Sequence, residues 1–321
     1  ILKYRGTGLF LEMGLGKTVA TLTAIVEMMK RKEIRKTIVI APLTVARDVW
    51  SDEIEKWQHT CHLRYSLILG NVKERRAALN KDADVYVINW ENLVWLIAEL
   101  NMRWPFDYTV IDESSKFKSA KSKCFKAMRT MLPRVKKITI LTGTPRPNSL
   151  MDLWSQLFLI DGGIRLFRTL GEYRRTYFKE GLKQGHVVYN YTVKKEDKDS
   201  LLGEEIWAHE IYDNISDICI SMSAADDAEL PERIVRTKWI SLPDKVMREY
   251  KQFEKDLVME IADEEITAAN AAVMAGKLLQ YSNGAIYDDK KKWHKLHDAK
   301  IEALEEIMEE DGLDGEEAEY T

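Results

Sequence analysis

Two glycines, a lysine and a threonine lie close together in a short turn near the start of the chain. The turn reads Gly14, Leu15, Gly16, Lys17 and Thr18, with an apolar run before it and helix-forming residues after it. In that order, backbone N–H groups converge at the start of a helix, where they can bind the phosphates of a nucleotide. The sequence therefore predicts a phosphate-binding loop formed by all five residues.

Lys17 and Thr18 carry the side chains that such a loop uses. Lys17 would reach the β- and γ-phosphates, and the hydroxyl of Thr18 would bind Mg²⁺. The motif is incomplete, because Leu11 occupies the position where the pattern G-x-x-x-x-G-K-S/T begins with glycine. An alternative interpretation is a glycine turn that binds nothing and only precedes an amphipathic helix.

Two adjacent carboxylates, Asp112 and Glu113, follow the apolar run Asp107–Ile111. Ligands bind at the carboxyl ends of parallel strands. ATP hydrolysis needs one carboxylate to hold magnesium and a second to orient or deprotonate the attacking water, so Asp112 is predicted for the first role and Glu113 for the second. A strand that ends in acids could instead be a helix cap or a turn. The phosphate-binding loop earlier in the chain favours the catalytic interpretation.

A third polar group, Thr142, Gly143 and Thr144, follows the apolar run Lys137–Leu141. Its hydroxyls could sense the γ-phosphate and relay its loss to neighbouring surfaces, so we predict a coupling role for these residues. An ordinary turn is the alternative, since Gly and Pro occur in loops of every kind.

These motifs depend on strands that alternate with helices. The predicted strands are Lys36–Pro42, Arg64–Leu69, Asp84–Trp90, Asp107–Ile111 and Lys137–Leu141, and the predicted helices are 21–30, 43–57, 72–79, 91–100 and 119–132. Such alternation is typical of right-handed crossovers and a parallel sheet covered on both faces. The predicted fold class is therefore α/β, with a nucleotide-binding core.

The pattern changes after Leu150. An apolar helical stripe reaches Ile160, residues 181–235 are mixed and polar, Ile234–Leu242 is strand-like, and Asp244–Gln280 is one long helix-like region. We predict a first domain at 1–160, a helical or mixed extension at 161–235 and a last segment at 236–321.

Composition limits the class of protein. The chain has 321 residues, of which 45% are hydrophobic, and its three cysteines form no C-x-x-C pair. A disulfide framework or a zinc module is therefore not indicated. The sequence lacks a run of roughly 18 uncharged apolar residues and a basic-then-apolar leader, so we expect a cytoplasmic protein without a membrane segment.

Charge divides unevenly along the chain. Residues 1–160 hold 26 Lys and Arg against 16 Asp and Glu, a net charge of +10, whereas residues 161–321 hold 22 against 36, a net charge of −14. A basic first half favours a polyanion partner such as nucleic acid. The basic run after the acids, which includes Lys116 and Lys118, could track a phosphate backbone or be a solvated helix face.

The motifs together resemble the Swi/Snf-related DNA translocases of the superfamily two helicases, particularly their compact phage and bacterial members. The resemblance rests on five segments in order: 12–18, EMGLGKT; 41–44, APLT; 88–91, INWE; 112–115, DESS; and 141–145, LTGTP, which continues through Pro147 and Asn148 to Leu153 and Trp154. Many members carry Ala-His where this chain has Ser114 and Ser115.

The resemblance implies a RecA-like first motor lobe, with ATP and Mg²⁺ as ligands and double-stranded DNA, more than single-stranded DNA, as the partner. It implies movement along duplex DNA, commonly without strand separation, in a bacterial cell or a phage-infected host. It also places nucleic-acid contacts at the segments that contain Pro42, Thr44 and Asn89.

Similarity continues more loosely through Leu230-Pro231-Glu232 and His297–Lys300 towards a second lobe. The rest of that lobe, with its catalytic arginines, and the adenine-reading glutamine motif have no counterpart in this sequence. We therefore interpret the chain as a fragment and expect it to bind ATP weakly and hydrolyse it slowly or not at all by itself. The oligomeric state stays open.

Two other functions fit the same motifs. A strand-separating helicase or a restriction-type motor subunit would carry the same loop and acids. A lobe that only binds nucleic acid or protein could keep the nucleotide site as a relic, although the presence of Lys17, Thr18, Asp112 and Glu113 argues against this.

Overall fold

A seven-stranded sheet, in which every neighbouring pair of strands is parallel, forms the centre of the fold. The structure is a computed structural model. It describes residues 1–145, 149–181, 183–184, 187–188, 191–194, 203–223, 237–262, 268–288 and 292–310. The chain divides into two compact units, Ile1–Leu230 and Pro231–Thr321.

The strands are β1 (Gly6–Leu11), β2 (Thr37–Ala41), β3 (Tyr65–Ile68), β4 (Val85–Asn89), β5 (Tyr108–Ile111), β6 (Lys137–Leu141), β7 (Phe178–Glu180), β8 (Lys183–Gln184), β9 (Val187–Val188), β10 (Tyr191–Val193), β11 (Cys219–Met222), β12 (Ala285–Tyr287) and β13 (Trp293–Lys295). The large sheet has the order β11-β1-β6-β5-β2-β4-β3. The other strands form three small antiparallel pairs, β7 with β10, β8 with β9 and β12 with β13.

The helices are α1 (Lys17–Lys30), α2 (Trp50–Lys56), α3 (Val72–Leu79), α4 (Leu93–Glu99), α5 (Lys123–Met131), α6 (Leu153–Asp161), α7 (Leu170–Tyr177), α8 (Gly203–Ile215), α9 (Asp244–Ala262), α10 (Ala268–Ser282) and α11 (Ala299–Glu310). A π-helical turn, Val45–Val49, leads into α2. Short 3₁₀ turns follow β4 (Trp90–Asn92) and β5 (Ser114–Phe117) and precede α6 (Leu150–Asp152).

Helices cover both faces of the sheet. Because side chains alternate along a strand, Ile38 and Ile40 of β2 pack into one apolar cluster with α4, α5 and α6, while Val39 and Ala41 pack into the other with α1 and α2. All five residues of β2 are buried. Burial on both faces explains why the strands read as continuous apolar runs.

The structure confirms the α/β fold class and the five strands and alternating helices predicted for the core. Of the two remaining strands of the sheet, β1 is the apolar run before the predicted phosphate-binding loop, and β11 was not predicted. β11 pairs with β1 through Gly8–Cys219 to Leu11–Met222, although it lies in the region 181–235. It has four residues and Ile220 is 56% exposed. An edge strand this short and exposed leaves little apolar pattern to recognise.

Beyond residue 230 the secondary structure differs from the prediction. Residues 237–242, the described part of the predicted strand Ile234–Leu242, are neither helix nor strand. The predicted long helix Asp244–Gln280 is found as α9 and α10. Pro147, Asn148 and Leu230-Pro231-Glu232 lie outside the described residues. The domain boundaries at 160 and 235 stay predictions.

The strand order positions the site. In a parallel sheet all strands end at the same edge, so the segments that follow β1, β6, β5, β2 and β4 lie side by side in that order. The predicted phosphate-binding loop, the predicted coupling residues and the two acids follow the first three of these strands. Pro42 follows β2, and Asn89 ends β4.

Candidate active site

The predicted phosphate-binding loop joins β1 to α1. Gly14 has φ +83° and Gly16 has φ +71°, in the left-handed region that favours glycine. Gly16 caps α1, and no described side chain caps the helix. The first N–H groups of this 14-residue helix are therefore available to an anion at its positive end.

Leu11 explains the missing first glycine. It is the last residue of β1, it is 7% exposed, and it pairs with Met222 of β11. A residue inside a buried strand does not need the conformational freedom of glycine. The loop in this chain therefore begins after Leu11, one residue later than the pattern G-x-x-x-x-G-K-S/T would place it.

Lys17 lies folded against its own loop. Its Nζ donates to the carbonyl oxygen of Leu11 at 2.7 Å and to that of Glu12 at 2.9 Å. These two bonds hold the ammonium group at the concave side of the loop, from which it can turn to a phosphate.

Asp112 and Glu113 leave β5 in different environments. Asp112 is 6% exposed; its Oδ2 accepts from Trp50 Nε1 at 2.9 Å, and its Oδ1 accepts from the backbone N–H of Glu113 at 2.9 Å. Glu113 has φ +48° and ψ +55°, a left-handed conformation that is uncommon outside glycine. Such backbone strain costs about 1–3 kcal/mol and clusters at functional sites.

The surroundings of Asp112 and Glu113 disfavour the charged form of both carboxyl groups. Burial raises the pKa of Asp112, against the lowering effect of the Trp50 and Glu113 hydrogen bonds and of Lys17. Burial also raises the pKa of Glu113, and the charge of Asp112 raises it further. Two neighbouring carboxylates held in this way fit a divalent cation, since its charge would offset both effects. The donor set of Asp112 and the Thr18 hydroxyl is hard oxygen, which suits Mg²⁺.

The predicted coupling residues contact both the acids and the loop. The Thr142 hydroxyl donates to Glu113 Oε2 at 3.5 Å and accepts from the backbone N–H of Thr144 at 3.0 Å. A Cβ on Gly143 would lie 3.4 Å from the carbonyl oxygen of Leu11. The three segments that the sequence places far apart are therefore in contact.

A second bridge joins the acids to the segment after β6, and it was not predicted from the sequence. Ser114 Oγ donates to Gln156 Oε1 at 2.8 Å, and Gln156 Nε2 donates to the carbonyl oxygen of Pro145 at 2.6 Å. Ser114 and Gln156 are fully buried. The sequence signal for this bridge is a single glutamine within the apolar stripe of α6.

The segments predicted to touch nucleic acid differ in exposure. Thr44 is exposed, Leu43 is 50% exposed, and Pro42 is partly exposed. Asn89 is 5% exposed, and its amide donates to Glu91 Oε2 at 2.7 Å. The side chain of Asn89 therefore orders its own turn, and its contact with nucleic acid stays a prediction.

The basic residues after the acids lie beside a cavity of about 310 Å³. Lys118, Lys121 and Arg174 line it, together with Ser155, whose buried hydroxyl has no hydrogen-bond partner. In the part of the chain that the structure describes, none of the three cations pairs with a carboxylate. Lys116 is exposed, and its Nζ lies 5.4 Å from the centre of the Trp90 ring.

Comparison with known proteins identifies the family. Residues 3–283 match the SNF2-related domain. The chain belongs to the SNF2-related family. Putative protein p41 of Acyrthosiphon pisum secondary endosymbiont phage 1 is 37% identical over 321 residues, which cover 97% of this chain and 67% of that protein. The transcription regulatory protein SNF2 of Saccharomyces cerevisiae is 35% identical over 152 residues, 46% of this chain and 9% of that protein.

A solved SNF2 structure shares the fold. The Sulfolobus solfataricus SWI2/SNF2 ATPase core in complex with dsDNA matches with a TM-score of 0.55 and 23% identity, over 97% of this chain and 61% of that chain. The SNF2-related chain therefore shares the RecA-like fold of that ATPase core but spans only part of these relatives.

These findings confirm the family and the RecA-like fold that the five motifs predicted. SNF2-related ATPases bind ATP, and this chain shares their core. The roles of the individual site residues stay predictions. Within the described ranges, no helix combines the length and apolar character needed to cross a bilayer.

Proposed function

We propose that this chain is the ATP-hydrolysing motor lobe of a DNA translocase that depends on Mg²⁺ and moves along duplex DNA. The observation that carries the proposal is the contact of three segments at one sheet edge: Gly143 lies against the start of the loop that carries Lys17, and the neighbouring Thr142 bonds to Glu113 after β5.

Each residue of the site has a separate task in the proposed hydrolysis. The open N–H groups of α1 bind the phosphates, and Lys17 exchanges its bonds to Leu11 and Glu12 for bonds to phosphate oxygens. Glu113 orients the attacking water and accepts its proton.

Thr18 and Asp112 are the residues that would hold Mg²⁺. When bound, the ion neutralises charge on the phosphate oxygens. The Trp50 indole uses one lone pair of Asp112 Oδ2. The carboxylate has further lone pairs that could bind the ion.

Thr142 is the residue proposed to report hydrolysis. Its hydroxyl touches Glu113 and supports the turn at Thr144, so a change at the γ-phosphate alters both bonds. The turn leads to α6, which packs against β1 and β6. This path supports the proposed coupling of hydrolysis to movement.

Contact with DNA is proposed for the exposed segment Pro42–Thr44 and for the cations Lys116 and Lys118. The three cations around the cavity beside Lys118 pair with no carboxylate among the described residues, which favours an anionic partner. Contacts of this kind go to backbone phosphates and do not read sequence. A similar fold is known in complex with dsDNA, which supports duplex DNA as the partner.

ATPase activity of the full-length protein that carries this chain, measured without DNA, with single-stranded DNA and with duplex DNA, tests the proposal. We expect stimulation by duplex DNA above stimulation by single strands. Displacement of a triplex-forming strand, without displacement of a duplex strand, would indicate translocation. Displacement of a duplex strand would indicate a strand-separating helicase instead. Equal activity with and without DNA would contradict the proposal.

A non-catalytic lobe is the rival of a different class. Glu113→Gln would leave the ATPase activity of the full-length protein unchanged if the site were a relic. We expect residues 1–321 alone to hydrolyse ATP slowly or not at all. The same assay with the isolated chain measures this rate.

A further inference from the structure

Two indole N–H groups hold Asp112 from two different segments. Trp50 Nε1 donates to the carboxylate oxygen Oδ2 at 2.9 Å, and Trp90 Nε1 donates to the backbone carbonyl oxygen of Asp112 at 3.2 Å. Trp50 is fully buried. Because indole is a donor only, each bond has a single direction, and together they restrain both the carboxylate and its backbone.

Trp50 is joined by main-chain hydrogen bonds to the exposed segment after β2. The backbone N–H of Ala46 donates to the carbonyl oxygen of Pro42 at 2.7 Å, and the N–H of Trp50 donates to Val45 across the π-helical turn. A π turn inserts one residue into the helical path, and such turns are frequent at functional sites. Main-chain hydrogen bonds therefore connect the segment Pro42–Thr44 to the residue that carries this indole.

Trp90 is joined to the segment after β4 and to a surface cation. It directly follows Asn89, whose amide is fixed by Glu91, and Lys116 lies 5.4 Å from its ring centre. Lys116 is exposed and able to bind a phosphate, which would weaken its attraction to the ring.

We infer that Trp50 and Trp90 are positioning residues that orient Asp112 for the metal ion and transmit nucleic-acid binding to it from the segments after β2 and β4. The inference rests on the proposed function, because it assumes that Asp112 holds Mg²⁺ and that these segments face DNA. Partners that orient a metal ligand change metal affinity by about 10–100-fold when they are removed.

The test measures the Mg²⁺ dependence of nucleotide binding, with a fluorescent ATP analogue titrated at fixed nucleotide concentration on the full-length protein. Trp50→Phe keeps an apolar ring and removes the donor. We expect the half-saturating Mg²⁺ concentration to rise by about 10-fold or more, with little change in nucleotide binding when Mg²⁺ is absent. Ca²⁺, which tolerates looser geometry, should lose less affinity than Mg²⁺.

Trp57→Phe is the matched control. Trp57 Nε1 also donates to a carboxylate, Glu53 Oε2, at 2.8 Å, but this pair joins α2 to the residue that follows it and is not bonded to Asp112. The control should keep the wild-type Mg²⁺ dependence. Equal Mg²⁺ titrations for folded Trp50→Phe and for Trp57→Phe would overturn the inference.

Trp90→Phe tests transmission and covers the case in which Trp50→Phe does not fold, since Trp90 is only partly buried. In the wild type, saturating duplex DNA should lower the half-saturating Mg²⁺ concentration several-fold, and Trp90→Phe should lose most of that shift. An unchanged shift in Trp90→Phe would refute the transmission. If the wild type itself showed no Mg²⁺-dependent nucleotide binding, the proposed function would fail instead.

Discussion

Two parts of the same sheet edge are built in opposite ways. Where β1, β6 and β5 end, polar side chains are buried and form hydrogen bonds between segments. Two examples are the bond between Asp112 and Trp50 and the bond between Ser114 and Gln156. Around Pro42–Thr44 and Lys116–Lys121, side chains are mostly exposed, and the lysines have no carboxylate partners among the described residues.

The difference matches two kinds of physical task. A closed, prearranged polar site stabilises charge that develops during a reaction, because its dipoles need not reorganise. Exposed cations attract a polyanion over a distance and are screened by salt. Substitutions in the first region should therefore have large, salt-insensitive effects on catalysis or stability, and those in the second should have smaller, salt-sensitive effects on binding.

The largest effect is expected for Glu113→Gln. The amide cannot accept the proton of the attacking water, so kcat for ATP should fall by about 10²–10⁴-fold while ATP binding is kept. Steady-state ATPase and nucleotide-binding assays on the full-length protein measure both. Glu99→Gln, which alters a surface carboxylate paired with Arg76, is the control. A loss below about tenfold would remove the distinction between the two regions.

A smaller effect, on stability, is expected for Gln156→Leu. The substitution leaves the buried Ser114 hydroxyl and Pro145 carbonyl without their partner, which costs about 1–3 kcal/mol. Denaturant unfolding measures the change. The double variant Ser114→Ala/Gln156→Leu replaces one polar pair by apolar groups and should recover part of the loss. If the double variant were less stable than Gln156→Leu alone, loss of the bridge would not be the cause of the destabilisation.

A binding effect of a few-fold is expected for Lys118→Ala. One lost phosphate contact should weaken duplex DNA binding uniformly across sequences and reduce the slope of log K against log salt concentration by about 1. Binding measured at several salt concentrations separates this from misfolding, which would not follow the salt slope. Lys73→Ala, on the exposed helix α3, is a charge-matched control.

The smallest effect concerns pH. The pKa of Glu113 is raised in the folded state, so the native protein binds more protons than the unfolded chain between the ordinary and the raised pKa. Stability from this group is present at low pH and is lost as pH rises through the folded pKa. Glu113→Gln should therefore raise the Tm slightly at pH 7, with less gain near pH 4. A lower Tm at pH 7 would show that the charged carboxylate is stabilised instead.

Much of the first region was predictable because its signals are local. The turn that contains Gly14 to Thr18 and the acids after Asp107–Ile111 each occupy a few consecutive residues, and strand and helix periods are visible within a single element. The partners of those residues were not predictable in the same way. Trp50 is 62 residues from Asp112, and Gln156 is 42 residues from Ser114.

The sequence by itself determined the α/β alternation, the glycine turn before α1, the pair of acids after β5 and the turn after β6, since each depends on residue type and short spacing. Only the tertiary structure decided that β11 completes the sheet beside β1, that Leu11 is a strand residue, that two indoles hold Asp112, and that Asn89 faces inward. The physical reason is that hydrogen bonds between distant segments, and the burial of side chains, depend on how the folded chain brings those segments together. No local pattern of residues encodes which distant donor will meet a given acceptor.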